Sequence, residues 1–340
     1  MNKQKTKKMM KNNRNKTKKT SFVKSQIRFI KSNVNSYEKL YTKENGIQVI
    51  NPEYLIKKNI KINPLPKHFN LFKNGFQLLD LNKSASLKNI IQRFKTIDGT
   101  SEFKDEREDM RKQLKKYIME HIGDFKKMGY TKGIDYDDIV IVDSVFRNTD
   151  KKLQSQFKSV GLAHTDFDPF MTDYAFIYPF LDKWGKKLEN TLGEDVYDKS
   201  YWKIGKKIAK VCNIWVSLTD PYIQNDPLIL CDLDSFNEKQ IIPYIASRRA
   251  TNNKREDTFI AQSIKFSNNN KWYTKKKMKM GEAYIFESFK TPHGAVHIDN
   301  DFSRKSMEFR VLFIKHKNIP KQAQKYYLKG GLVVVDTSRT

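Results

Sequence analysis

Cysteine is scarce: Cys212 and Cys231 are the only two in 340 residues. They are too few and too far apart for a disulfide framework or a closely spaced thiolate metal site, and their apolar neighbours read as the surroundings of buried thiols. No run of about 18 apolar residues and no signal-peptide h-region occurs, so the reading is a soluble intracellular chain with no transmembrane segment. A GxxxxGK(S/T) phosphate loop is missing, as is a GxGxxG fingerprint joined to a strand and a helix. Acidic residues are numerous but form no compact carboxylate cluster suited to phosphodiester hydrolysis, and no convincing serine or cysteine triad is present. The first twenty residues, MNKQKTKKMMKNNRNKTKKT, lack acidic side chains altogether and carry eight lysines and one arginine of a chain with formal charge +27.

That tail, residues 1–20, has no apolar period and reads as a disordered basic segment. Its charge suits RNA, DNA or an anionic surface, while a merely solubilising role explains the composition equally well. Residues 21–90 read as an entrance region of short structured pieces, punctuated by Asn63-Pro64-Leu65-Pro66 and Asn74-Gly75. Residues 91–340 form the main expected domain. It opens with an amphipathic helix from about Phe103 to Tyr130, with Met110, Leu114, Ile118, Ile122 and Phe125 on its apolar side. His121 falls on this helix and is not expected in a metal cluster. Strand-like segments follow at 137–146 and 157–164, then in KVCNIWVSL, PLILCD, FIAQSIKF, EAYIFES, MEFRVLFI and GLVVVD. Many short strands separated by turns favour a mainly β fold with flanking helices, a sandwich or jelly roll, over a helical bundle.

Such a fold brings distant strand ends to one cavity, which gives meaning to two histidines 129 residues apart. Ala163-His164-Thr165-Asp166 follows an apolar run, and Thr291-Pro292-His293-Gly294 comes far downstream. Histidine and aspartate separated by one residue point the same way from a strand. Two imidazoles and one carboxylate can hold one face of a non-haem Fe(II) ion and leave positions open for an organic ligand and dioxygen. The competing reading makes His164 a strand cap, Asp166 the start of an Asx turn and His293 an ordinary surface residue. His297-Ile298-Asp299 repeats the pattern, but His316 is the only histidine after it and leaves little chain to cross a barrel and return. Between the distal histidines, His293 is favoured over His297 because Arg304 then begins an adjoining strand eleven residues later.

Arg304 has the planar fork needed to bind a 2-oxo dicarboxylic acid, and Ser306 offers a hydroxyl from the same strand face. Arg310 shares their parity and is the alternative anchor, or a partner for Glu308. The bland reading takes these alternating polar residues as the solvent face of a strand. Asn213, Trp215, Phe167 and Tyr284 suit a mostly apolar substrate pocket. Trp215 and Tyr284 suit core packing equally well, and Asn213 a strand-edge hydrogen bond.

With these residues in place, the chain resembles the iron- and 2-oxoglutarate-dependent hydroxylase/desaturase family that includes the cephamycin methoxylation protein, aspergillic-acid hydroxylase and gibberellin desaturase-like enzymes. The resemblance runs discontinuously from Asn74 to Ile314, through NGFQLLDL, IVDSVFRNT, AHTD, CNIWVSL, DPLILCDLDS, KWYTKKKMKMGEAYIFESF, TPHGAVH and RKSMEFRVLF. It implies a double-stranded β-helix, Fe(II) bound by His164, Asp166 and His293, and 2-oxoglutarate held by Arg304 with help from Ser306 and, less centrally, Arg310. It also implies dioxygen as co-substrate and a small organic molecule as the target of hydroxylation or desaturation. Val216-Ser217 departs from the arginine-proline usual after the family's NxW segment, and the basic tail lies outside the resemblance. The alternative function is a basic nucleic-acid-binding or virion-associated structural protein with an inactive jelly-roll domain.

Overall fold

The computed structural model of the protein describes residues 25–34, 41–44, 47–50, 52–98, 103–122, 138–150, 160–166, 206–249, 256–298 and 302–316. The basic tail, Phe125, Phe167 and the GLVVVD segment lie outside the described residues. In chain order the strands are β1 (Ser25–Ile30), β2 (Tyr41–Glu44), β3 (Ile47–Ile50), β4 (Leu55–Ile60), β5 (Ile62–Pro64), β6 (Phe76–Asp80), β7 (Asp138–Asn148) and β8 (His164–Thr165). They continue with β9 (Lys206–Ser217), β10 (Leu228–Cys231), β11 (Ile241–Arg249), β12 (Glu256–Ile264), β13 (Trp272–Thr274), β14 (Glu282–Glu287), β15 (His293–Ala295) and β16 (Lys305–His316). The α-helices are α1 (Leu71–Asn74), α2 (Ala85–Arg93) and α3 (Lys104–Ile122).

A five-stranded sheet in the order β6-β14-β9-β16-β7 faces a seven-stranded sheet in the order β11-β12-β8-β15-β10-β13-β5. Segment 21–90 thus supplies an edge strand to each sheet through β6 and β5. Period-two alternation decides what each face carries. From the five-stranded sheet, Cys212, Ile214, Val216, Ala283, Ile285, Met307, Phe309, Val311 and Phe313 turn outward into one apolar cluster with Leu87, Ile91, Met110, Leu114 and Ile118 of the helices. Each such buried aliphatic or aromatic side chain is worth roughly 1.5–3 kcal/mol. Helix α2 starts where the Ser84 side chain accepts a hydrogen bond from the Leu87 N–H. Helix α3 begins with Asp105 and Glu106, the charge that a helix N-terminus favours, and Arg111 ties it to Ser144 of β7 at 2.8 Å.

On the opposite face of the same strands, Trp215, Tyr284 and Phe286 pack against Leu228 and Leu230 of the seven-stranded sheet. These contacts join the two sheets as a jelly roll. The outer side of the seven-stranded sheet is covered by β1, which pairs antiparallel with β4 and buries Ile27 and Phe29 beside Ile229, Cys231 and Trp272. Of the expected strand at 157–164, residues 157–159 lie outside the described residues, and among the described ones β8 begins at His164, with Val160 to Ala163 leading into it. Cys212 and Cys231 are buried, free thiols on two different strands. Burial raises both above the ordinary thiol range, Cys231 to about 12, which suits inert packing residues. His121 lies on α3, its ring stacked on Tyr117 and its Nδ1 3.0 Å from the Tyr117 carbonyl oxygen.

Candidate metal centre

Strand β8 lies between β12 and β15. His164 pairs with Ser263 of β12 and, on its other edge, with His293 of β15. His293 in turn pairs with Leu230 of β10, one of the residues that faces the inside of the roll. The two histidines are therefore direct cross-strand neighbours, with ring centroids 4.4 Å apart. Such close approach of β15 to the chain before β8 requires glycine after His293. A Cβ at Gly294 would stand 2.8 Å from the Ile27 Cδ1 and 3.1 Å from the Leu162 carbonyl oxygen.

That Leu162 oxygen is 2.7 Å from His164 Nδ1, and the Thr291 oxygen is 3.0 Å from His293 Nδ1. Both rings are thus tethered through Nδ1, which leaves Nε2 as the free ligand atom of each. Asp166 Oδ1 lies 3.8 Å from His164 Nε2 and 3.7 Å from His293 Nε2. All three ligand atoms fall within 4.8 Å of one another. Neighbouring donors around a first-row ion, each at about 2.1 Å, stand about 3 Å apart, so each carboxylate–imidazole separation needs to contract by under about 1 Å and the imidazole–imidazole one by under about 2 Å. The donor set of two imidazoles and one carboxylate therefore fits a facial metal site.

The carboxylate is held as firmly as the rings. The Asp166 N–H donates to the Ser288 carbonyl oxygen at 3.0 Å, and Asn213 Nδ2 donates to Asp166 Oδ2. Ser288 Oγ then donates to Asn213 Oδ1 at 2.6 Å. One carboxylate oxygen is occupied and the other faces the histidines. Burial would raise the Asp166 carboxyl, but His293 and Arg310 outweigh it and hold the group well below the usual carboxylate range. Burial, with His293 close by, lowers His164 to about 4. Burial would lower His293 as well, yet the facing Asp166 prevails and raises it.

The remaining sequence candidates divide. Arg304 is 2% exposed and lies on the inner face with its guanidinium 5.3 Å over the Trp215 ring. Its Nη1 donates to the Asp226 carbonyl oxygen, and burial lowers it to about 10. Ser306 is buried two residues on, and Arg310 stands opposite Asn213 in the β16–β9 register. Trp215 is a floor under Arg304, not an open pocket wall. Tyr284 is a correction to the pocket expectation: it is fully buried in the inter-sheet cluster, with its hydroxyl accepting a hydrogen bond from the Lys275 N–H at 2.6 Å. Asn213 is likewise hydrogen-bonded to Asp166 through its Nδ2 and to Ser288 through its Oδ1. His297 lies beyond the end of β15, its side chain 65% exposed and its Nδ1 3.1 Å from Asp226 Oδ1.

Two contributors are not among the expected site residues although they lie in strand-like segments, Ser288 at the end of EAYIFES and Ser217 in CNIWVSL. Ser217 shares the parity of Asn213 and Trp215 and is legible from alternation alone.

No curated protein matches the chain. Among solved structures, a single-site variant of the iron and alpha-ketoglutarate-dependent endoperoxidase NvfI is similar at 18% identity, covering 86% of this chain and 97% of that chain with a TM-score of 0.61. NvfI in a different conformation gives 17% identity over 86% and 97% of the two chains and a TM-score of 0.58. At this identity the likeness is one of fold, the double-stranded β-helix. A family model described as oxidoreductase/YMDC permease-like domain matches residues 27–314, well over half of the 340 residues, and the protein belongs to that family.

Proposed function

We propose that the chain is an Fe(II)/2-oxoglutarate-dependent dioxygenase that hydroxylates or desaturates a small organic substrate. One observation carries the reading. His164 Nε2, His293 Nε2 and Asp166 Oδ1 converge at the seven-stranded sheet, both rings tethered through Nδ1, and a buried arginine, Arg304, directly precedes β16 of the facing sheet. Membership in an oxidoreductase-like family and the fold shared with NvfI support it. The ordered segments from Asn74 to Ile314 further support the narrower grouping with cephamycin methoxylation, aspergillic-acid hydroxylase and gibberellin desaturase-like enzymes.

In this reading His164, Asp166 and His293 hold the iron, Asn213 and Ser288 orient the carboxylate, and Arg304 with Ser306 binds the far carboxylate of 2-oxoglutarate. When bound, the metal supplies dioxygen activation coupled to oxidative decarboxylation of 2-oxoglutarate to succinate and carbon dioxide. Burial of Arg304 strengthens its pairing with a carboxylate by removing competing water. Arg310, Arg147 and Glu308 bring further charge to this side of the roll through their influence on Asp166 and on one another.

Among the described residues no helix is long and apolar enough to cross a membrane. The free buried thiols and the co-substrates fit an intracellular setting. Contact of residues 1–20 with nucleic acid or an anionic surface belongs to the same set of proposals and rests on their charge alone.

The test is anaerobic reconstitution. One Fe(II) per chain and a new visible absorption on adding 2-oxoglutarate are expected, whereas folded protein that takes up no iron would overturn the assignment. Zinc uptake alone does not decide it, because imidazole and carboxylate bind several metals. Succinate-coupled turnover of a metabolite extract, read as gain of one oxygen or loss of two hydrogens, then separates hydroxylation from desaturation. Turnover confined to nucleic acid or protein would replace the small-molecule reading.

A further inference from the structure

On the inner face of the five-stranded sheet, Arg304 Nε, Ser306 Oγ and Ser217 Oγ are buried without a hydrogen-bond partner among the described residues. Ser306 and Ser217 are direct partners in the β16–β9 register, so their side chains leave the same face of the sheet about 5 Å apart at Cβ. Both are fully buried, yet neither bonds to the other. Arg304 precedes Ser306 by two residues and lies over Trp215, which precedes Ser217 by two. One patch therefore contains a guanidinium, two facing hydroxyls and an aromatic floor.

A buried hydroxyl without a partner is costly, and two of them beside an under-used guanidinium describe a place prepared for an acceptor. Carboxylate is the acceptor that fits. It is planar, it takes the fork of an arginine, and its two oxygens offer about four lone-pair sites. Serine hydroxyls donate to such oxygens without adding charge, so the guanidinium remains the only cation among the three groups.

Resting on the dioxygenase reading above, we propose that Ser217 is a specificity-determining residue for the co-substrate. Its hydroxyl is the third donor, beside Arg304 and Ser306, to the far carboxylate of 2-oxoglutarate.

The experiment compares two oxo acids on the Fe(II)-loaded full chain under anaerobic conditions, reading the visible absorption that forms on binding. One is 2-oxoglutarate; the other is 2-oxobutyrate, which keeps the metal-chelating end and lacks the far carboxylate. Ser217→Ala is expected to weaken 2-oxoglutarate roughly tenfold or more, the loss typical of a hydrogen bond to a charged group, while Fe(II) and 2-oxobutyrate affinities stay unchanged. Ser217→Thr should retain the affinity for 2-oxoglutarate, and Ser217→Val, which matches threonine in shape but has no hydroxyl, should lose it. That pair decides the matter if the alanine variant folds poorly.

Unchanged 2-oxoglutarate binding in Ser217→Ala or Ser217→Val, or equal weakening of both oxo acids, would overturn the assignment of Ser217 and leave the dioxygenase reading standing. Wild-type protein that binds iron but neither oxo acid would overturn both.

Discussion

Adjacent residues of β9 and β16 work in opposite surroundings. Cys212, Ile214, Val216, Met307, Phe309, Val311 and Phe313 face the helices and are sealed in the largest apolar cluster. Their neighbours Asn213, Trp215, Ser217, Arg304, Ser306, Glu308 and Arg310 face the other way. They surround a metal-binding geometry with hydroxyls, an amide and charge. The outer face obtains stability from burial and tolerates swaps that conserve volume. The inner face gives up part of that stability by burying Ser217 Oγ, Ser306 Oγ and Arg304 Nε without a hydrogen-bond partner among the described residues. One sheet therefore separates structural support from chemistry by alternation alone. The separation can be tested by substituting one face and reading the property of the other.

The largest effect is expected from His293→Ala, which should abolish stoichiometric Fe(II) binding while far-ultraviolet circular dichroism remains native. His297→Ala should bind iron normally, since His297 projects outward to Asp226. Metal analysis of the two variants would reverse the assignment if only the second lost iron.

From the helix-facing side, Phe309→Ala should cost about 3–5 kcal/mol in urea unfolding, as expected for removing a fully buried ring. The protein that remains folded should bind Fe(II) with unchanged affinity. A large drop in that affinity would show that the two faces are coupled.

Asn213→Ala sharpens the boundary from the inner side. Loss of the amide that holds Asp166 Oδ2 should weaken Fe(II) roughly 10–100-fold, the range found for residues supporting a metal ligand. A fall in melting temperature with no change in metal affinity would assign Asn213 to packing instead.

Glu308→Gln should produce the smallest change. Burial, reinforced by Asp166, raises the Glu308 carboxyl above its ordinary 4.5 in the metal-free protein, against the opposing pull of Arg310, His293 and Arg147. A group that holds its proton more tightly when folded contributes stability that is complete below the unfolded value and lost as pH rises through the folded one. Glutamine removes that dependence. The metal-free variant should be as stable as wild type at low pH and slightly more stable at neutral pH. Identical pH profiles by thermal melting would place Glu308 outside the buried charge cluster.

Much of this division is legible in the strand sequences themselves. Alternation in CNIWVSL and RKSMEFRVLF places Asn213, Trp215 and Ser217 on one face of their strand and Arg304, Ser306, Glu308 and Arg310 on one face of theirs. Helix α3 is equally legible from Met110, Leu114 and Ile118 at helical spacing. Tyr284 is not resolved in the same way. Its parity with Phe286 puts it inside the roll, but parity does not say whether an inward residue meets a cavity or another side chain. Only the approach of Thr274 and Lys275 consumes its hydroxyl.

The choice between His293 and His297 shows where local pattern stops. The two residues are four apart and share strand parity, so alternation treats them alike. The structure separates them because β15 ends at Ala295, after which His297 bridges Gln26 of β1 and leaves its side chain exposed beside Asp226. Sequence determined the composition of each strand face and the chemical kinds of ligand available, since side-chain direction is a local property of extended backbone. Tertiary structure decided which ligands meet. Cross-strand register aligns His164 with His293, and the carbonyls of Leu162 and Thr291 orient the rings. The His164–His293 pairing joins strands more than a hundred residues apart, which no local periodicity contains, whereas each orienting carbonyl lies only two residues before its histidine.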